Sequence, residues 1–201
     1  MANDTIDDEL LSNSLRNQRK AWEIIEQTGL IDIWLSIGAE INLVGSLKTG
    51  LLMKNRDIDF HIYTDEFILA ESFKAVGLLA QNARIKRVEY VNLIDTEEKC
   101  IEWHAWYEDD EEMLWQIDMI HISRDSPYVG VFEKVANRIT SVLTHEARCA
   151  ILSIKNEIPD DQKIMGIEVY QAVIRDGVRN YGEFIRWREK NAATGIVEWI
   201  P

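Results

Sequence analysis

Asp57 and Asp59 stand two residues apart in Arg56-Asp-Ile-Asp-Phe-His61, inside a stretch from Asp57 to Tyr63 whose alternation reads as a strand. Residues two apart on a strand project from one face, so both carboxylates point together while Ile58 and Phe60 turn into the core. Two carboxylates that close repel each other unless a proton or a cation lies between them. An all-oxygen donor set favours a hard divalent ion, and magnesium is the usual one where phosphates are handled. Upstream, Gly45-Ser46 falls where an extended segment ending at Val44 gives way to a short helical pattern reaching about Met53. Such a junction offers free backbone N–H groups to an anion. Glycine permits close approach, and the Ser46 hydroxyl can donate to a phosphate oxygen. Lys48, in the first turn, is placed to reach the same phosphate. Asp118 stands mid-strand in Leu114-Trp-Gln-Ile-Asp-Met-Ile-His-Ile122, a costly site for a carboxylate unless it is paired or metal-bound. A strand packed beside the first would bring it to the same cations. A phosphate seat beside a metal-binding acid set is the equipment of phosphoryl or nucleotidyl transfer.

The ordered set is Gly45-Ser46, ten intervening residues, Asp57-x-Asp59, and the later Asp118, with Gly50 completing a Gly-Ser-x-x-x-Gly form. It resembles the nucleotidyltransferase superfamily that includes DNA polymerase β and the antibiotic nucleotidyltransferases. The resemblance covers about residues 39 to 122, and Arg56 departs from the Ser that bacterial members often carry there. It implies a nucleotidyltransferase fold of α/β (α+β) class, a mixed β-sheet flanked by helices. It implies an enzyme that moves a nucleoside monophosphate from a nucleoside triphosphate, ATP being the default, and releases pyrophosphate. Two Mg2+ ions would be held by Asp57, Asp59 and Asp118, with Asp118 aiding deprotonation of the acceptor. Gly45, Ser46 and Lys48 would hold the nucleotide. A helical extension after the core is how small-molecule members build an acceptor pocket, which points to an antibiotic-like or metabolite acceptor. The alternatives are a toxin–antitoxin-type or inactive nucleotide-binding interaction module, and nucleotidylation of a protein or a tRNA.

The elements that must position these residues follow from periodicity. Leu11, Leu15, Gln18, Trp22 and Ile25 fall on one helical face, with Gly29 as its stop. Ala39 to Val44 reads as a strand. Thr64 or Asp65 can cap a helix running to about Ala80. Strands follow at about 84–93, 99–107 and 113–122, the last two separated by the acid run 108–112, which reads as an exposed hairpin loop. Beyond Pro127 the pattern turns helical over 131–158, 162–175 and 181–191. The division expected is a catalytic region at 1–126, N-terminal helix included, and a helical region at 127–201.

Composition narrows the partners. With 35 acidic residues against 22 basic the net charge is −13, whereas a chain that grips a nucleic-acid backbone presents Lys and Arg. The balance argues against a long polynucleotide and suits divalent metals or cationic substrates. Apolar runs fall short of the roughly 18 residues that span a bilayer, and the acidic N-terminus is unlike a signal peptide. A soluble, cytoplasmic protein without a membrane partner is expected, and a homo-oligomer is compatible. Cys100 and Cys149 fit neither a zinc site nor a disulfide framework and read as reduced, buried thiols. Secondary candidates are His61, on the face of the paired acids, and Glu102, His104 and Trp106, on one face of a strand that could line the acceptor cleft. Lys134 and Arg138, four apart, could face the triphosphate but read better as surface charge. His121, opposite Asp118, reads as structural, and Trp103 and Trp115 as core. The acid run could draw in a polyamine-like acceptor, though a solvated loop explains it equally well.

Overall fold

The structure, a computed structural model, describes residues 2–193, 195, 197 and 199–201. Helix α1 (Ala2–Thr28) stops at Gly29, whose left-handed backbone (φ 62°) turns the chain directly into α2 (Leu30–Leu35). Then come β1 (Glu40–Leu43), α3 (Gly45–Thr49) and β2 (Asp57–Tyr63). Next are α4 (Leu69–Leu79), β3 (Ile85–Leu93), β4 (Cys100–Glu108) and β5 (Leu114–Ile122). The remainder is helical: α5 (Val131–Val142), α6 (His145–Glu157), α7 (Gly166–Tyr170) running into a π-helical turn at Gln171–Arg175, and α8 (Tyr181–Asn191).

The five strands form one mixed sheet in the order β1-β2-β5-β4-β3. Among the described residues only β2 and β5 run parallel, and their register sets Asp59 beside Asp118. β4 pairs antiparallel with β5, which sets His104 opposite Asp118. One sheet face packs Ile58, Phe60, Ile62, Trp103, Ile117 and Met119 against α1, α2 and α4. The opposite face carries the acids. A second cluster joins Leu51 and Met53 to α5, α6 and the segments after them.

Several local expectations differ. The short helix expected to reach about Met53 ends at Thr49, and the one expected over 162–175 begins at Gly166 and closes as a π-helical turn. The buried face of α1 is Leu10, Ser14, Ala21, Ile24, Ile25 and Thr28, while Leu15 and Trp22 are exposed. Part of that face is polar because α1 lies against backbone there: Ser14 Oγ donates to the Leu52 carbonyl at 2.7 Å. Neither Thr64 nor Asp65 caps α4, which begins after Ile68; the Thr64 hydroxyl is engaged with His121 instead. The helical stretch 131–158 is broken at Leu143, and Thr144 caps α6 by accepting from Ala147 N at 3.1 Å.

The segment between α3 and β2 has no regular structure yet is buried at Leu51, Leu52 and Met53. Its carbonyls are taken one by one. Arg148 donates to Gly50 O at 2.6 Å and Lys155 to Leu51 O at 2.8 Å; Ser14 takes Leu52 O and Asn17 takes Met53 O. Buried backbone acceptors need such partners. Both cysteines are free and buried. Among the described residues no helix is long and apolar enough to cross a membrane.

Candidate active site

Asp57, Asp59 and His61 alternate onto one face of β2, and the parallel pairing brings Asp118 alongside Asp59. Gly45 makes room for the second acid: a Cβ there would lie 2.0 Å from Asp59 Oδ2. The glycine also adopts φ +66°, which side-chain-bearing residues rarely do. Its missing side chain therefore accommodates a carboxylate, beyond the phosphate approach expected of it. Val44 N–H donates to Asp59 O at 2.9 Å, tying the turn to β2.

Asp57 Oδ1 is buried and has no hydrogen-bond partner among the described residues. Burial raises the Asp57 pKa, Lys155 opposes that, and Asp118 adds to it. Burial, then the charges of Asp57 and Asp118, hold Asp59 well above the usual carboxylate range. An orphaned carboxylate oxygen amid acids resisting ionisation fits a hard divalent cation, so the residues present suit magnesium.

Asp118 Oδ1 accepts from His104 Nδ1 at 2.6 Å and Gln116 Nε2 at 2.8 Å. The other ring nitrogen of His104 lies 3.4 Å from Glu102 Oε2. The hydrogen bond to Asp118, then that to Glu102, pushes the His104 pKa up to about 10.

At the junction expected to seat a phosphate, Ser46 Oγ accepts from Lys155 Nζ at 2.8 Å and lies 3.2 Å from the Tyr170 hydroxyl. Lys155 is buried at 6% exposure. Lys48 does not share this place: it is exposed and lines neither cavity. Because α3 has only five residues, its dipole is small, and the ammonium of Lys155 is the positive charge at the seat. Sequence reasoning missed Lys155. The signal was present, since it sits four residues after Ile151 on the buried stripe of α6, where an unpaired lysine would be costly.

These groups open onto a cleft of about 450 Å³, between the acid-bearing sheet face and walls from α5 (Phe132, Val135, Ile139) and α7 (Ile167, Tyr170). A side chamber of about 160 Å³ adjoins it, bounded by Ser46, Asn55, Asp57, Lys155 and Gln162.

The secondary candidates divide. His61, Glu102 and His104 line the cleft, while Trp106 does not and carries the Arg87 guanidinium 3.4 Å above its ring. The His61 Nδ1 is buried and unpartnered, 3.6 Å from Glu133 Oε1, and burial lowers the ring's pKa. His121 is buried on the opposite face against Trp34 and Phe67, its pKa lowered to about 4 by burial. Trp103 and Trp115 are core. Lys134 and Arg138 are exposed, away from the cleft-lining side of α5. The acid run does not line the cleft. Asp109 caps its own turn by accepting from Glu111 N, Met113 N and Trp115 Nε1, and Asp110 pairs with Arg84 and Lys20. Glu98, Cys100 and Glu102 also bring ligand atoms within 4.8 Å of one another. Burial, then the charges of Glu102 and Glu98, push the Cys100 thiol up to about 12.

Residues 16–115 match the family model of the nucleotidyltransferase domain. The chain carries a nucleotidyltransferase domain. No curated protein matches the sequence. Among solved structures, the nucleotidyltransferase domain and its helices resemble the non-canonical poly(A) polymerase complex GLD-2–GLD-3, with TM-score 0.52 and 13% identity over 83% of this chain and 52% of that one. They also resemble Cid1, an RNA terminal uridylyl transferase, with TM-score 0.57 and 12% identity over 85% and 52%. A cytoplasmic RNA terminal U-transferase gives TM-score 0.50 and 14% identity over 83% and 51%. At such identities the likeness is one of fold. The chain spans about half the length of these structures.

Proposed function

We propose that the protein moves a nucleoside monophosphate from a nucleoside triphosphate, ATP first, to a hydroxyl of a small-molecule acceptor and releases pyrophosphate. The observation that carries this reading is that Asp57, Asp59, Asp118 and Ser46 line one cleft, and that Lys155, bonded to Ser46, stands in the side chamber that shares Ser46 and Asp57 with it. A magnesium pair bound by the three aspartates would neutralise charge on the attacking and leaving oxygens. Lys155 and Ser46 hold the triphosphate and steady the departing pyrophosphate. In an in-line displacement the attacking oxygen stands opposite the leaving group. The acceptor then enters over the β4 side, past Glu102 and His104. Its oxygen bonds to the α-phosphorus as the bond to the β-phosphate bridging oxygen breaks, and its proton passes toward Asp118.

A cleft of about 450 Å³ suits a ligand of drug or metabolite size. The net charge of −13 and the Glu102 carboxylate at the entrance disfavour a polyanionic acceptor. A second reading, transfer to an RNA end, draws on the fold shared with poly(A) polymerase and terminal uridylyl transferase structures. The test is incubation with magnesium, each triphosphate in turn and a panel of hydroxylated small molecules, with an RNA oligonucleotide as a separate arm. Pyrophosphate release with a small-molecule product of added nucleotide mass is expected. Extension of the RNA alone would replace the first reading with the second.

A further inference from the structure

The two oxygens of Asp118 are in different circumstances. Oδ1 accepts two N–H groups, from His104 on β4 and Gln116 on β5. Among the described residues no hydrogen bond reaches Oδ2. His104 is itself held at both ends, with Nδ1 2.6 Å from Asp118 and Nε2 3.4 Å from Glu102 Oε2. The β4–β5 register sets His104 directly opposite Asp118, and contacts at both ring nitrogens restrict how the ring can turn. Hydrogen bonds of this kind fix the direction in which a metal-binding carboxylate points.

We propose that His104 is a positioning residue for Asp118: together with Gln116 it occupies Oδ1, leaving Oδ2 as the single oxygen offered to a divalent cation. The inference rests on the metal reading of the three aspartates. Its consequence is selectivity. Magnesium and manganese want octahedral sites with one oxygen from each carboxylate, whereas the larger calcium ion accepts bidentate carboxylates in looser shells. A carboxylate with one oxygen already engaged is suited to the smaller ions. Releasing Oδ1 lets the group rotate and grip with both oxygens, which costs the small ions affinity and spares calcium.

The probe is manganese, titrated by electron paramagnetic resonance with a non-hydrolysable triphosphate, with calcium as competitor. Four proteins are compared: the wild type, Asp118→Asn, His104→Phe, which fills the site without donating, and His104→Asn, whose amide can replace the Nδ1 donor. Melting in chelator checks that each is folded. His104→Phe should bind manganese about 10–100-fold more weakly, with calcium much less affected, and His104→Asn should recover most of the loss. Equal affinities for the two His104 variants, or a parallel fall for both metals, overturn the positioning role while leaving the metal site standing. Wild-type protein whose manganese binding is indifferent to Asp118→Asn would instead overturn the metal reading itself.

Discussion

Replacing Gly45 by alanine separates two effects that a single glycine usually confounds. The first is backbone strain: alanine at φ +66° pays about 1–2 kcal/mol for the left-handed conformation. Gly38 supplies the control, because it adopts φ +76° and an added Cβ there meets nothing within 4 Å. Gly38→Ala should lose that strain energy and nothing else, a fall in Tm of roughly 2–8 °C for a chain of this length. At Gly45 the new methyl would stand 2.0 Å from Asp59 Oδ2, and relief to 3.0 Å moves that oxygen by about 1 Å. Turning a flexible carboxylate off its rotamer costs only about 0.5–1.5 kcal/mol, so stability should fall little beyond the control. Function should fall much further, since a misplacement of about 1 Å at a reacting centre can cost about 100-fold. The assay is melting with and without magnesium and a non-hydrolysable triphosphate, followed by turnover once an acceptor is known. Gly38→Ala should keep the full ligand-induced rise in Tm, and Gly45→Ala should lose most of it. A Gly45→Ala protein matching Gly38→Ala in both readouts would refute the claim that this glycine exists to seat Asp59.

Three further outcomes are expected. Asp59→Asn should melt in chelator at or above the wild-type temperature, because the acid it replaces resists ionisation through burial and the charges of Asp57 and Asp118, and it should gain little from magnesium-triphosphate; a destabilised variant with a full ligand response would refute this. Lys155→Met should weaken triphosphate binding by about 1.5–3 kcal/mol, the worth of a hydrogen bond to a charged group, as read by calorimetry; unchanged affinity would put the phosphates elsewhere. The His121 pKa near 4 lies below the ordinary 6.5, so the unfolded chain protonates first, and the stability from neutral His121 is present above pH 6.5 and lost as pH falls toward 4, up to about 3 kcal/mol. Denaturant titrations from pH 4.5 to 7.5 should show His121→Gln losing that part of the slope, and parallel pH profiles would refute it.

The catalytic strands were legible because period-two alternation and the acid spacing agree. β2 was read at its observed bounds, and β3, β4 and β5 within a residue or so. What was not legible depends on contacts across the chain. The face of α1 was misread because Leu15 and Trp22 outweigh Ser14 and Ala21 in any hydropathy pattern, yet the helix meets the buried segment through Ser14, Asn17 and Gln18, which donate to its carbonyls. The sequence offers Lys48, near Ser46, as the lysine of the expected phosphate seat, whereas the lysine bonded to Ser46 is Lys155, 109 residues away. The face shared by Glu102 and His104 was visible, but the bond from His104 to Asp118 needed the β4–β5 register. The hairpin acids read as a solvated loop or, equally, as a lure for a polyamine-like acceptor, because sequence does not show that Asp109 is consumed in capping its own turn.

The run from Gly50 to Met53 changes the meaning of the motif that frames it. Surface loops tolerate length variation because their polar backbone can fall back on water. Here four successive carbonyls are claimed by side chains from α1 (Ser14, Asn17 and Gln18) and α6 (Arg148 and Lys155), and the side chains of Leu51, Leu52 and Met53 are buried. One residue added or removed would advance every carbonyl past its donor and rotate buried leucines toward polar partners. The ten-residue interval between Ser46 and Asp57 is thus a mechanical dimension, gauged at one end by the N-terminal helix and at the other by the helix that delivers Lys155. Length variation along this chain should accumulate in the β4–β5 hairpin and spare a stretch that, by secondary structure alone, would pass for an ordinary connector.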